Sequence, residues 1–404
     1  MSRPAGPIYL DYHATTPVDL RVIEAMLPYF DVRFGNAASR SHSFGWQAEE
    51  AVKIARQQIA NLLMVDSRDL VFTSGATEGL NFLIKGIADA SEKKGRHIIT
   101  IATEHHAVLD IMPWLEKKGF EVTMLPVKPD GTIDPDLLKS RIRKDTILLA
   151  AMWANNETGL IQDIPAIAKI CRDAGVPLIC DATQAVGKIE VHPLEAGIDM
   201  MVCSAHKFYG PKGIGVVYID PKLKVKPTPL LHGGGHEHGY RSGTLNVPGI
   251  VGMGEASKFA NADLGFSIER IKGLRDKFEQ KVLTEVEEVR INGNVDHRLP
   301  TVTNLCVPFT DSQAVMTKFR SKLAISSGSA CSSADPAPSH VLLAMGLNEA
   351  EAKASYRISF GRPTTEEEVE TAAGLFIQAV KEYRSQNPVW QMHRQGMDVS
   401  GSRD

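Results

Sequence analysis

Residues 176–213 read VPLICDATQAVGKIEVHPLEAGIDMMVCSAHKFYGPKG. Two apolar runs, VPLIC and MMVC, each end abruptly in polar chemistry. The first stops at Asp181, with Gln184 three residues on. The second stops at Ser204, followed by His206 and Lys207. Short apolar runs bounded in this way read as strands buried on both faces. A carboxylate at the mouth of such a strand is costly unless it meets a positive charge. A lysine in the same place is either a solvated loop residue or an amine that attacks carbonyl carbon.

Working outward, the same alternation of strand and amphipathic helix runs from Leu70 to Ile219. Strands are expected at Leu70–Phe72, His97–Ile101, Phe120–Pro126, Thr146–Trp153, Val176–Asp181, Asp199–Ser204 and Gly213–Ile219. Helices fall between them, for example Ala107–Lys118 and Ile164–Asp173, and WQAEEAVKIARQQIANLL precedes the block as one amphipathic helix. The pattern predicts an α/β fold with a mostly parallel seven-stranded sheet covered on both faces. GIGVVYI follows after so short a turn that the last strand can pair antiparallel.

After about Ala260 the character changes. A charged helix over Ser267–Val289 leads to short strands near Val302–Val307 and Tyr356–Ser359, then to a helix over Thr365–Tyr383 that Thr365 can cap. These predict a large cofactor-binding domain over 16–260. A smaller α/β domain takes 1–15 and 261–390, and 391–404 is expected to be a loosely held tail.

The chain has 404 residues, 43% hydrophobic and 23% charged, with a net charge of -3. That balance gives no footprint for nucleic acid. No apolar run reaches the roughly 18 residues that span a membrane. The start, MSRPAGPIYLDYHATTP, lacks the apolar core of a signal peptide. Five cysteines at irregular spacing make no disulfide framework, so a reducing cytoplasm is expected.

Cys171, Cys180, Cys203 and Cys306 sit in apolar surroundings and read as small buried hydrophobes. Cys331 does not. Its neighbourhood, SSGSACSSADPAPS, is small, polar or helix-breaking. It is a tolerated surface thiol or a reactive one on a loop that moves.

In open α/β sheets, ligands bind beyond the carboxyl ends of the strands. After Leu70–Phe72 comes TSGATEG, where a glycine and small hydroxyl residues precede a helix and backbone N–H groups can face an anion. After His97–Ile101 come His105 and His106, and after Thr146–Trp153 the amide-rich ANNETG. A phosphate cradle, an acid for a ring nitrogen and a lysine at a strand end together describe a pyridoxal phosphate site. HGGGHEHG, with His232, His236 and His238, has no strand or helix to fix metal ligands and reads as a cofactor-facing loop at a dimer interface rather than a metal site.

The chain resembles the cysteine desulfurases of the iron–sulfur cluster assembly type, the IscS/NifS group of the class V aminotransferase-like family. The resemblance is carried by YLDYHATTPVD, FGNAASRSHSFGWQAEEAV, VFTSGATEG, TEHHAVL, NNETG, DATQAVGK, SAHKFYGPKGIG, HGGGHEHGYRSGTLNV, SSGSACSSADPAPSHVL and RISFGRPTTEEE, in that order from Tyr9 to Glu368. VWQMHRQGMD resembles the C-terminal segment of the housekeeping branch, and VSGSRD departs from it.

The resemblance implies the aspartate aminotransferase-like fold of pyridoxal phosphate-dependent transferases. It implies that Lys207 holds the cofactor covalently, Asp181 pairs with the ring nitrogen and Gln184 meets the ring's phenolic oxygen. His105 stacks on the ring and moves protons. Thr77 with the amide of Ala76, Ser204 and His206 bind the phosphate, and Thr244 reaches the phosphate of the neighbouring subunit in a homodimer. Asn156 lies near ring and substrate, and Arg357 clamps the substrate carboxylate. Cys331 takes sulfur from L-cysteine as a persulfide, leaving L-alanine. It then passes the sulfur to acceptors such as an iron–sulfur scaffold protein or a tRNA-thiolation partner. No metal is resident, though Cys331 contacts a nascent cluster in passing. Selenocysteine lyase and class V transaminase are the enzymatic alternatives, and an interaction hub for sulfur-trafficking proteins the non-enzymatic one.

Overall fold

A computed structural model describes residues 6–327 and 337–397. Seven strands form the large sheet: β1 (Leu70–Thr73), β2 (His97–Ile101), β3 (Glu121–Leu125), β4 (Thr146–Met152), β5 (Leu178–Asp181), β6 (Met200–Ser204) and β7 (Gly215–Ile219). Their order across the sheet is β1-β7-β6-β5-β4-β2-β3. Only β7 runs against its neighbours, pairing antiparallel with β1 and β6. The short turn before GVVYI forces this, since a parallel return needs a longer crossover. One edge of the sheet therefore collects the ends of β1, β2, β4, β5 and β6 together with the start of β7.

The inner strands are buried and mostly apolar because helices cover both faces. Ile99, Leu149, Leu178, Met201 and Tyr218 belong to one core. Ile98, Leu148, Ile179, Met200 and Val217 belong to the other. Alternation along each strand sends neighbours to opposite layers.

Helix α1 (Ser43–Leu63) matches the amphipathic stretch expected there. Helix α2 (Ala76–Ser91) follows β1 directly. The expected helix over Ala107–Lys118 is two shorter ones, α3 (His106–Leu109) and Met112–Glu116. Pro113 has no N–H to give to a continuing ladder, so a new first turn begins around it.

The charged helix expected from Ser267 begins twenty residues earlier, as α4 (Val247–Glu285) with Asn246 capping through the N–H of Gly249. Its early glycines do not break it. A Cβ on Gly254 would lie 2.6 Å from the Cα of Ala55 in α1, so the glycine is what lets the two helices approach. Helix α4 thus runs straight through position 260. Its first half packs in the core of the large sheet and its second half, with Ile271, Leu274 and Phe278, in another core.

That second core lies against a four-stranded sheet of β8 (Arg290–Ile291), β9 (Val302–Cys306), β10 (Ser326–Ser327) and β11 (Ser355–Ser359), ordered β10-β11-β9-β8. Ile8–Tyr9 pairs with Leu323–Ala324, which ties the N-terminus to this half. Helix α5 (Glu366–Gln386) carries a full capping box of Thr365 and Glu368. The expectation of a loose tail from 391 is corrected over its first residues. Helix α6 (Pro388–Arg394) is anchored by Trp390, buried beneath the guanidinium of Arg384. Residues 398–404 lie outside the described residues.

Candidate active site

The strand ends at the collecting edge open on a cavity of about 560 Å³. Ala76, Thr77, His105, Asn156, Asp181, Gln184, Ser204, His206 and Lys207 all line it. Nine residues spread over 132 positions of sequence are brought together by five strand ends.

Its anion-binding end is the start of α2. Gly75 precedes the helix at φ 156° and no side chain caps it. The first N–H groups of α2 therefore keep their hydrogens for a ligand. Glycine is required twice here. A Cβ on Gly215, at the start of β7, would fall 2.7 Å from the Cα of Gly75. Glu78, in the first turn, would repel an anion, but its carboxylate is taken. Arg241 Nε donates to it at 2.9 Å and Ser74 N at 2.8 Å, which holds it below the usual carboxylate range against the effect of burial. Ser204 lies 3.7 Å from where a Cβ on Gly75 would sit, so its hydroxyl borders the same cradle. His206 Nδ1 meets Thr15 Oγ1 at 3.1 Å. Burial, then Lys207, pulls the His206 pKa down to about 4, so the imidazole is neutral at pH 7.

Asp181 closes β5 and is buried, with Oδ1 accepting the N–H of Thr183 at 2.9 Å. His105 sits beyond β2 as the cap of α3, its Nδ1 accepting the N–H of Ala107 at 3.0 Å. That bond puts the ring hydrogen on Nε2. Burial lowers the His105 pKa, with Asp181 opposing and Lys207 adding to the effect. Lys207 follows β6, and its Nζ donates to the carbonyls of His13 at 2.6 Å and Ala14 at 2.9 Å. The amine is thus held by backbone oxygens, without a carboxylate among those two contacts.

Among the described residues, two buried atoms of the lining have no partner, Asn156 Oδ1 and Thr183 Oγ1. Buried polar atoms without partners in an otherwise satisfied protein point to a missing ligand. A carboxylate, an amine, a flat imidazole and a capless helix start around one cavity fit pyridoxal phosphate: phosphate at α2, ring nitrogen at Asp181, aldehyde carbon at Lys207.

Other expected residues stand off this cavity. Arg357 lies on β11, buried at 3% exposure. Its Nη2 bonds Asp11 at 2.8 Å and its Nη1 bonds the carbonyl of Asn156 at 3.1 Å, while Nε has no partner. Thr244 is exposed and absent from the lining. Cys331 lies outside the described residues. The chain enters that segment from Ser326–Ser327, paired with Arg357 and Tyr356. It leaves it at Ala337, and two residues on the Ser339 hydroxyl donates to the buried carboxylate of Glu157 at 2.5 Å. Burial raises the Glu157 pKa to about 7.

In HGGGHEHG the fixing residue is the acid. Buried Glu237 bonds Arg56 at 2.6 and 3.0 Å and the N–H of Phe72 at 2.8 Å. His236 Nδ1 takes the N–H of Gly243 at 3.3 Å. Among the described residues no cluster of three or more His, Cys, Asp or Glu is placed to hold a metal.

Sequence reasoning gave no role to Thr183, Ala14, Thr15, Lys212 or the carbonyl of His13, although DATQ and YHATTP were both singled out. Thr183 stood between two assigned residues, and that spacing was the available signal.

A model of the class V aminotransferases matches residues 8–371. The chain is 51% identical over 394 residues to a protein named cysteine desulfurase IscS from Neisseria meningitidis serogroup C, covering 98% of this chain and 97% of that one. A solved structure described as a NifS-like protein superposes with a TM-score of 0.86 at 34% identity, covering 94% of this chain and 99% of the other. The NifS-like protein of Rickettsia africae gives 0.82 at 32% identity over 94% and 99%.

Proposed function

The chain belongs to the class V aminotransferase family and is a pyridoxal phosphate-dependent cysteine desulfurase of iron–sulfur cluster assembly, and from that premise we propose how its residues divide the work. The observation that carries the reading is the convergence of Asp181, His105, Lys207 and the capless start of α2 on one cavity. Bound there, pyridoxal phosphate supplies an electron sink for the substrate's α-carbon.

The residues do the rest. The N–H groups of Ala76 and Thr77, with Ser204 and neutral His206, hold the phosphate. Asp181 keeps a proton on the ring nitrogen, because a buried carboxylate is best satisfied by a positive partner. Gln184 donates to the phenolic oxygen. Lys207 would hold the cofactor covalently, and its free amine would be placed to take the proton from the substrate's α-carbon. His105, neutral with hydrogen on Nε2, lies against the ring and exchanges protons with substrate. Asn156 borders the substrate, and Arg357 receives its carboxylate. The thiolate of Cys331 attacks the substrate sulfur. As the new S–S bond forms a persulfide on Cys331, the Cβ–Sγ bond of the substrate breaks with its electron pair left on Cβ, and Cβ takes up a proton to give L-alanine. Sulfur then passes to a scaffold protein or other acceptor by thiol exchange.

The working form is a homodimer. Thr244 is exposed and away from its own cavity, as a residue serving a neighbour's phosphate would be. Leu27, Phe30, Val32 and Phe34 are all more than half exposed along one short stretch, an apolar surface of the kind that partners cover. No helix among the described residues is long and apolar enough to cross a membrane. Cys171, Cys180, Cys203 and Cys306 are free and buried, which suits a reducing cytoplasm.

The test is Cys331→Ala, assayed for alanine release from L-cysteine with a reductant present. The variant should keep its cofactor colour and bind cysteine, yet lose alanine release by at least a hundredfold. Release near the wild-type rate would move the reading to a transaminase. A rate on selenocysteine far above that on cysteine, retained in Cys331→Ala, would move it to a selenocysteine lyase.

A further inference from the structure

Lys188 is a lysine with 6% exposure directly behind the cavity. A buried lysine ordinarily meets a carboxylate. Among the described residues this one bonds only Gln184, donating from Nζ to its side-chain Oε1 at 2.8 Å and to its backbone oxygen at 3.1 Å. The Gln184 amide is thereby given a direction. Its Oε1 faces Nζ, and its Nε2 donates one hydrogen to the carbonyl of His13 at 3.0 Å. That carbonyl also accepts from Lys207. Turned over, the amide would set Oε1 against the His13 oxygen and its own N–H groups against the donors of Nζ. Both contacts would be lost and two repulsions gained. As ammonium or as amine, Nζ retains N–H groups for both Gln184 oxygens.

We propose that Lys188 is a positioning residue for the desulfurase reaction: it locks the Gln184 amide so that its second N–H faces the cavity as a donor to the cofactor's phenolic oxygen. The inference rests on the reading that Gln184 meets that oxygen. A donor fixed before its acceptor arrives loses nothing to reorientation, which is how oriented dipoles gain their effect in a buried site. It also explains why a buried lysine has two oxygens of one neutral residue for partners. A carboxylate in Gln184's place would satisfy Lys188 better but would have no hydrogen for the ring.

The test is a double-mutant cycle on the full chain, freed of cofactor and titrated with pyridoxal phosphate, reading affinity and the visible absorption band. Gln184→Ala should weaken binding on the order of tenfold or more and shift the band, as expected for loss of a hydrogen bond to a charged oxygen. Lys188→Met, which keeps length and removes the donors, should do nearly the same. The double variant should be no worse than Gln184→Ala. Gln184→Glu should be as weak as Gln184→Ala, since it keeps the Lys188 contact and loses the donors to the ring oxygen and to the His13 carbonyl; this arm stands even if Lys188→Met does not fold. Independent, multiplying losses would overturn the lock, as would wild-type affinity and band in Lys188→Met or in Gln184→Glu. No loss in Gln184→Ala would overturn the ring contact itself and the lock with it. Loss in Gln184→Ala with Lys188→Met unaffected would overturn the lock alone.

Discussion

The wall of the cavity and the wall behind it are built differently. One wall is the edge of the large sheet, where Asp181, Ser204, His206 and Lys207 follow strand ends within 27 residues of one another. Their hydrogen bonds given above are short-range or to the N-terminal segment, and all four line the cavity. The other, outer wall is the small sheet, which stands off the cavity and touches its lining at Asn156. Its arginine, Arg357, is already committed to Asp11 and to the carbonyl of Asn156. The first wall is ready for its ligand, whereas the second must exchange a partner to receive one. On the proposed reading, the difference teaches that cofactor binding is preorganised here and substrate binding is competitive, with Asp11 as the resident competitor.

Variants sharpen that contrast, beginning with the largest effect. Lys207→Ala should cut turnover by about 10²–10⁴-fold, the range for a lost proton carrier, and abolish borohydride-reducible attachment of the cofactor. Mass spectrometry finding the reduced adduct on another lysine would break the assignment of this wall. Asp181→Asn should lower kcat by about 10²–10³-fold with a changed absorption band, as for a lost charge stabiliser. If KM alone rose, Asp181 would belong to substrate binding instead.

On the other wall the signature should invert. Arg357→Gln should raise KM for cysteine by about 10–100-fold, as for a charge-assisted bond, and leave the cofactor band in place. A disturbed band would merge the two walls into one unit.

Smaller effects separate scaffold from chemistry. Glu237→Gln weakens a buried pair with Arg56 that takes no part in the cavity lining and should cost about 1–3 kcal/mol by denaturant unfolding, with KM unchanged. The smallest effect concerns pH. His206 falls from an ordinary 6.5 to about 4 through burial. Its neutral form therefore favours the fold fully above pH 6.5, and that contribution is lost as pH falls toward 4. The thermal midpoint of His206→Gln should decline less than wild type between pH 6.5 and 4. Equal declines would mean that another buried histidine dominates.

What the sequence disclosed follows the same divide. The strands of the large sheet, its single antiparallel member and the polar residues near its edge were legible because each apolar run stops within a few residues of a polar cluster. The capping box at Thr365 was legible for the same local reason. The bond between Arg357 and Asp11 spans 346 positions, and no local pattern encodes it. Helix α4 was read as starting too late because glycine is a helix breaker in isolation, and only the approach of α1 reveals why Gly254 stands there. The lysine of DATQAVGK was visible from the start, but its direction toward Gln184 depends on burial. Cys331 was singled out by its neighbours alone and lies outside the described residues.

Helix α4 has one more consequence, and it concerns modularity. At 1.5 Å per residue its 39 residues span roughly 58 Å as one rod shared by both cores. Cutting the gene near position 260 would split that rod and strip each half of a helix its core needs. The halves should therefore resist separate expression and exchange between relatives. Limited proteolysis should nick surface loops without releasing two stable pieces. An architecture that looks divisible in its sheets is inherited and engineered as a unit.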